Sequence, residues 1–286
     1  MLVVGLTGDV GAGKSTVSAF WESEGAHLID ADRIVSDLWA SHPFRREAAA
    51  RWGEEILVGD RGIDRDKIAS IVFENPLEYR WLCDSLHPVV RRVMENRICS
   101  LDGWVVADIP LLFEGGVPWW VDTTVYVTAP FETRVERNSN RNWTAGELRR
   151  REKHLLPQST KIKLADEVLD NANDMQLLLE KARDIGITHS AMASCVEIEI
   201  ICSQNETAED LARTLISGGL AADVLFCDAI QAAAGSSRIL RCKALACALN
   251  DIEEAARNAG RPLYSVKSIR RVDMRTLVKL TGARRP

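Results

Sequence analysis

Gly8-Asp9-Val10-Gly11-Ala12-Gly13-Lys14-Ser15 constrains this chain more than any other stretch, because it fills every fixed position of the pattern G-x-x-x-x-G-K-S/T. A loop of this kind works only between a strand and a helix. Its glycines let successive backbone N–H groups turn inward around a phosphate, and the helix N-terminus that follows adds partial positive charge. The surroundings suit it: Leu2–Leu6 is an apolar run with strand character, and Lys14–Ser23 carries a helical pattern. The motif therefore predicts a P-loop NTPase-type α/β fold and a site for a nucleoside triphosphate, ATP in the simplest case, with Mg2+. Gly11, Ala12, Gly13, Lys14, Ser15 and Thr16 are the expected phosphate contacts. Lys14 is placed to reach the β- and γ-phosphates, and the Ser15 hydroxyl to ligate the metal. The loop leaves the acceptor of the phosphoryl group open.

Four more short apolar segments, His27–Asp30, Trp104–Asp108, Thr123–Val127 and Glu167–Leu169, alternate with helical patterns. The patterns cover Asp32–Trp39, Asp64–Phe73, Leu77–Leu86, Val89–Ser100, Phe131–Asn138 and Asp174–Ile185. Such alternation, with strands apolar throughout, predicts a parallel sheet with helices on both faces. Pro88 fits the first turn of a new helix, so two helices are expected over Leu77–Ser100. The weakly patterned Ile187–Ser194 is the expected boundary between one domain over residues 1–186 and another over 195–286. In the second, Val196–Cys202, Ala221–Phe226, Ser237–Leu249 and Tyr264–Arg271 read as strands, and Thr207–Ser217, Asp251–Ala259 and Met274–Leu280 as helices. Its β-α-β-β-α-β order predicts an α+β ferredoxin-like sandwich.

Composition agrees with two unlike domains. All eight Trp lie between Trp21 and Trp143, and beyond Cys195 only Phe226 and Tyr264 are aromatic. A net charge of −5 disfavours a globally basic nucleic-acid binder, so no nucleic-acid partner is expected. Seven Cys without a C-x-x-C pair point to a reducing, cytoplasmic compartment. Met1–Gly5 has no basic n-region and does not read as a signal peptide. No uncharged run approaches the ~18 residues that span a bilayer, so no membrane partner is expected.

Acceptor chemistry is sought at the carboxyl ends of the strands, where open α/β sheets bind ligands. Ile29-Asp30-Ala31-Asp32 places two acids there. Asp32 is the candidate base for an acceptor hydroxyl, against the plainer possibility that it caps the following helix. Asp108 ends an apolar strand in the manner of a Walker-B carboxylate and is a candidate for Mg2+. Arg137 and Arg141 share a helical face and suit phosphate oxygens, whereas Arg134 and Arg149 read as solvated surface. Arg91, one turn beyond His87, is a candidate anion contact.

Together these motifs resemble the dephospho-CoA kinase family over about residues 1–185. The resemblance is carried by LTGDVGAGKST, IDADRI, IVFENPLEYRWLCDSLHPVVR, VVADIPLLFE, VERNSNR and LPQSTKIKLADEVLDN. It implies transfer of the ATP γ-phosphoryl group to the ribose 3′-hydroxyl of dephospho-CoA. It further implies Asp32 as base, Lys14 and Ser15 as the P-loop pair, and Arg137 and Arg141 as lid arginines. Asn171 would lie near the ATP base, and Thr7, His87 and Arg91 on the substrate side. Leu155 departs from the family's Gln, and Asn173 from its Gly. The second domain is similar to the CutA family through residues 206–224, which implies self-association as a trimer. That family's Trp-Glu-Gly and His-Pro-Tyr-Glu segments are missing, and Cys227, Cys242 and Cys247 read as core thiols rather than metal ligands. Two rival functions stay open: a P-loop kinase acting on another nucleoside or nucleotide, and a nucleotide-bound oligomeric scaffold with a metal-sensing second domain.

Overall fold

The computed structural model describes residues 1–59, 62–139, 143–172, 174–202, 205–228, 238–260 and 264–268. It divides into one compact unit over Val3–Gly186 and another built on Ile187–Pro286.

In chain order the first unit contains β1 (Leu2–Gly8), α1 (Lys14–Ser23), β2 (His27–Asp30), α2 (Ala31–Ala40) and α3 (His42–Trp52). Next come β3 (Leu57–Val58), β4 (Gly62–Ile63), α4 (Arg65–Glu74), α5 (Pro76–Ile98), β5 (Trp104–Asp108) and β6 (Thr123–Thr128). Then follow α6 (Phe131–Asn138), α7 (Ala145–Glu152), α8 (Gln158–Leu164), β7 (Glu167–Asp170) and the start of α9 (Met175–Ala193). The main sheet is five-stranded in the order β2-β5-β1-β6-β7, with β2–β5, β1–β6 and β6–β7 pairing in parallel. Every residue of β5 is buried, as expected of a strand covered on both faces. Since β1 is central, the loop after it emerges between the ends of β5 and β6. That topology is what gathers the site.

Helices α2 to α5 form a layer of their own around Trp39, Trp52, Ile56, Ile68, Val72 and Leu86. Edge-on ring pairs tighten it: Trp39 with Phe44 at 4.7 Å and Trp52 with Trp81 at 4.9 Å between centroids.

The sequence predicts two helices over Leu77–Ser100, but α5 is one helix with Pro88 inside. Pro88 has no N–H for the Asp84 carbonyl, a loss of about 3 kcal/mol in a helix interior. Leu86, Val90, Met94 and Ile98 recur every four residues and are all buried. Burial of each contributes about 1.5–3 kcal/mol, enough in sum to carry the helix across the proline. Likewise, α9 continues through residues 187–193, the segment that looks unpatterned in sequence. Small residues hide its stripe: Leu178, Ala182, Gly186, His189 and Ala193 are buried at helical spacing.

The second unit contains β8 (Cys195–Cys202), α10 (Asn205–Ser217), β9 (Ala222–Asp228), β10 (Arg238–Leu245), α11 (Leu249–Asn258) and β11 (Tyr264–Ser268). Its antiparallel sheet has the order β11-β8-β10-β9, the ferredoxin-like arrangement. Ile198, Ile200, Cys202, Leu211, Leu215, Leu240, Cys242 and Ile252 form its core. The third strand ends at Leu245, not Leu249. Ala246–Ala248 turns as 3-10 helix and α11 begins at Leu249, in keeping with the high helix propensity of alanine. Residues 269–271 of the expected last strand, and the expected helix over Met274–Leu280, lie outside the described residues. Among those described, no helix is long and apolar enough to cross a membrane.

Candidate active site

The loop between β1 and α1 takes the shape its glycines permit. Gly11 and Gly13 have φ of +78° and +103°, in the left-handed region open to glycine. Space is equally restrictive. A Cβ on Gly11 would lie 2.1 Å from the Asn138 Nδ2, and one on Gly13 2.6 Å from the Asn171 Nδ2. Both asparagines are buried, and both amides are engaged: Asn138 donates to the Arg134 carbonyl at 2.8 Å, Asn171 to the Ala12 carbonyl at 2.8 Å. Asn171 thus braces the phosphate loop from just beyond the end of β7. Arg137 joins it, donating from Nη2 to the Asn171 carbonyl and Oδ1, each at 3.2 Å. The other Arg137 nitrogen, Nη1, is buried with no partner among the described atoms. Arg141 lies outside the described residues.

On the other side of the loop, Lys14 bonds the carboxylate of Asp108, which is 4% exposed at the end of β5. Burial raises the Asp108 pKa above the usual carboxylate value, and the Lys14 ammonium works against that shift. Asp30 is the backbone partner of Asp108 across the sheet. It is also the N-cap of α2, its Oδ1 accepting the amides of Asp32 at 2.8 Å and Arg33 at 3.2 Å. The capping role therefore falls to Asp30 and leaves the Asp32 carboxylate uncommitted. Asp32 is open to water on its outer side but crowded by protein elsewhere. Desolvation raises its pKa, Lys14 lowers it, Asp30 raises it and Arg65 lowers it. Arg65, at the start of α4, donates to Ser36 Oγ at 2.8 Å, and no motif in the sequence marks it.

Asp32 lines a cavity of about 140 Å³ together with Val35, His87, Val90, Arg91, Pro110 and Leu111. Its walls are mainly apolar. Arg91 is held by the carbonyls of Gly115 and Gly116, the second at 2.7 Å. Burial, then Arg91, depress the His87 pKa, with Asp84 opposing them, so His87 is biased towards the neutral imidazole. Thr7 is buried, and its hydroxyl donates to the Pro110 carbonyl at 3.0 Å. It holds the cavity wall in place. Ser15 and Thr16 open α1 at the phosphate loop.

Two side chains around the phosphate loop depart from what the sequence suggests. Arg134 is not solvated surface. It is 5% exposed, donates to Ala129 O at 3.1 Å and Val10 O at 3.4 Å, and pairs with Glu152. A guanidinium that reads as one more charge in an Arg-rich stretch thus ties the phosphate loop to α7. Nothing in the sequence marks Lys161 as a site residue. It is 4% exposed and sits between Asp9 Oδ1 at 3.4 Å and Glu114 Oε1 at 3.5 Å. Gln158, one turn earlier on α8, also reaches Asp9 Oδ2 at 3.4 Å and bonds Thr128.

In the second unit Cys195, Cys202 and Cys242 are buried and Cys227 is partly buried, but Cys247 is exposed in the 3-10 turn after β10 and is not the core thiol its apolar surroundings in sequence suggest. No group of His, Cys, Asp and Glu among the described residues is arranged to hold a metal ion.

A family model described as dephospho-CoA kinase matches residues 2–176. The dephospho-CoA kinase of Carboxydothermus hydrogenoformans is 37% identical over 185 residues, covering 63% of this chain and 90% of that protein. Among solved structures, TT1252 from Thermus thermophilus superposes with a TM-score of 0.57 at 34% identity, covering 65% of this chain and 96% of that one. CutA1 from Oryza sativa covers 31% of this chain and 91% of its own, with a TM-score of 0.27 and 18% identity.

Proposed function

The chain belongs to the dephospho-CoA kinase family through residues 2–176, and from that we propose that it transfers the γ-phosphoryl group of ATP to the ribose 3′-hydroxyl of dephospho-CoA. The observation that carries the proposal is the Asp32 carboxylate, relieved of capping by Asp30 and facing a mainly apolar cavity beside Lys14. An acceptor hydroxyl delivered through that cavity meets a carboxylate able to take its proton, on the side where the phosphate loop presents the donor.

The first unit's own residues supply the remaining functions. Backbone N–H groups of Gly11–Thr16 cradle the phosphates. The Lys14 ammonium has three donors to divide between Asp108 and phosphate oxygens. The unpartnered Nη1 of Arg137, with Arg141, is suited to charge building on the transferring group. Asn171 fixes the loop from beneath on the nucleotide's side, and His87 and Arg91 line the acceptor's path. Ser15 and Asp108 are hard oxygen donors that fit Mg2+, few enough to leave coordination positions for phosphate and water. When bound, the ion neutralises phosphate charge.

A coupled assay of ADP release, comparing dephospho-CoA with AMP, CMP and nucleosides at saturating ATP, tests the assignment. Turnover confined to dephospho-CoA is expected, and a preference for AMP or a nucleoside would replace the proposal with a different kinase.

We further infer that residues 195–286 form a self-associating domain and that the chain works in the cytoplasm. Support for association comes from β9. It is an edge strand of its sheet among the described residues and presents Leu225 and Phe226, 59% and 39% exposed. Sedimentation of the full chain is expected to give a trimer, and a monomer would exclude that role.

A further inference from the structure

Asp9 occupies the first variable position of the phosphate loop, where the G-x-x-x-x-G-K-S/T pattern asks for nothing in particular. Here it is buried and heavily engaged. Its Oδ2 accepts the Thr128 hydroxyl at 2.9 Å and the Gln158 amide at 3.4 Å, and its Oδ1 faces Lys161 at 3.4 Å. Glu114 belongs to the segment on the acceptor side. It follows Pro110 and Leu111, which line the acceptor cavity, and precedes Gly115 and Gly116, whose carbonyls hold Arg91. Glu114 also accepts the Leu156 amide at 3.1 Å, just before α8. Between the two carboxylates stands one ammonium, that of Lys161, nearly sealed from water.

Two carboxylates facing each other away from water repel unless a cation lies between them. The ammonium therefore fixes a distance: the phosphate loop and the acceptor-side loop are each drawn to the same point. We propose that Lys161 is a positioning residue for phosphoryl transfer, a buried clamp that sets donor loop and acceptor loop in register through Asp9 and Glu114. It touches neither ATP nor acceptor in this scheme and acts through the two carboxylates. The two arms are separable. The Asp9 arm shapes the nucleotide site, and the Glu114 arm shapes the acceptor site. The clamp rests on the kinase function proposed above.

The test uses the full chain and two readouts, calorimetric titration with ADP in magnesium buffer and steady-state turnover with dephospho-CoA. Lys161→Met is expected to weaken ADP binding about tenfold and to lower kcat by about tenfold or more, because both arms are released. Glu114→Gln should leave ADP affinity as it was while raising KM for dephospho-CoA, and Asp9→Asn should show the reverse split. Lys161→Arg, which keeps the charge, should recover most of the kcat lost in Lys161→Met. A merely structural lysine would produce neither the split nor the charge rescue. If Lys161→Met fails to fold, the Glu114→Gln and Asp9→Asn pair decides the matter alone. Wild-type ADP affinity and turnover in Lys161→Met, or identical effects of Glu114→Gln and Asp9→Asn, would overturn the clamp. A wild-type chain that binds ADP but does not turn over dephospho-CoA would instead sink the proposed function, and the ADP titrations of the three variants would still judge the Asp9 arm.

Discussion

Between Val3 and Gly186 the buried side chains include Asp9, Asp108, Arg134, Asn138, Lys161 and Asn171, whereas the described core of the second unit is aliphatic side chains and thiols, with His189 on α9 the buried polar exception. Both units have sheets and amphipathic helices, so the contrast is not one of architecture. Burying an ion is costly unless it is paired and hydrogen-bonded. In the first unit each of the buried ions has a partner: Asp108 with Lys14, Asp9 with Lys161, Arg134 with Glu152. Each pair also connects to the phosphate loop or its lysine. Ions are tolerated inside where they shape one site, and the second unit, with no such site among its described residues, has the plainer interior.

The comparison breaks most easily at Asp32. Asp32→Asn is expected to lower kcat by about 10²–10⁴-fold, the range for loss of a general base. As a group open to water on one side, it should leave stability within about 0.5 kcal/mol. Parallel kinetics and urea titration would show a catalytic residue that the fold does not need, and a variant with normal turnover would remove the base assignment. In the wild-type protein, activity should fall on the acid side with an apparent pKa above the ordinary Asp value of about 3.9, because desolvation raises Asp32. Asp108 is raised too, so that acid limb belongs to both carboxylates.

Lys14→Met should lower turnover by about 10²-fold or more through lost phosphate stabilisation, and it should also expose the cost of a buried charge. A carboxylate whose pKa is raised by folding favours the fold most below its unfolded value and loses that contribution as pH rises through the folded one. Without Lys14 the Asp108 pKa rises further. The variant should therefore lose more thermal stability relative to wild type at pH 8 than at pH 5. Equal losses at the two pH values would show that the pair does not matter to the fold.

In the second unit the expectation inverts. Leu240→Ala should cost about 2–5 kcal/mol in that unit's stability by opening a cavity, yet leave turnover per folded molecule unchanged. A loss of kcat would show that the two units are not functionally separate. The smallest effect concerns thiols. Burial pushes the Cys242 thiol up to about 12, while Cys99 and Cys247 are exposed. Alkylation at pH 8, read by mass spectrometry, should label the exposed pair and spare Cys242 without loss of kinase activity.

Most of the fold is legible because its signals are local. The strand ending in Asp30, the strand ending in Asp108 and the glycine loop can each be read within a dozen residues, and the resemblance adds their joint meaning. Elements that depend on distant partners are not legible in this way. Pro88 looks like a helix start until the buried stripe on both sides is known. The hairpin of β3 and β4 has strands of two residues each, too short to show alternation. Helices α3 and α8 give weak periodic signals, and α8 is only seven residues long. Within the site, the phosphate contacts follow from a motif, but Lys161 meets Asp9 across 152 residues of chain. A lysine in Lys161-Ile162-Lys163 carries no mark of burial. The same blindness applies to Arg134, whose surroundings in sequence suggest only a charged surface.

The cap at the start of α2 also bears on how such a site can change. One aspartate at a helix entrance has two competing claims on it, the orphan amides of the first turn and the substrate. The tandem Asp30-Ala31-Asp32 resolves that conflict by duplication, since the first acid saturates the amides and the second keeps its lone pairs. Asp30→Ala would not simply loosen a helix end. It would leave the amides of Asp32 and Arg33 without their acceptor and loosen the very turn that carries the base, so that a residue with no part in the reaction would govern where that base stands.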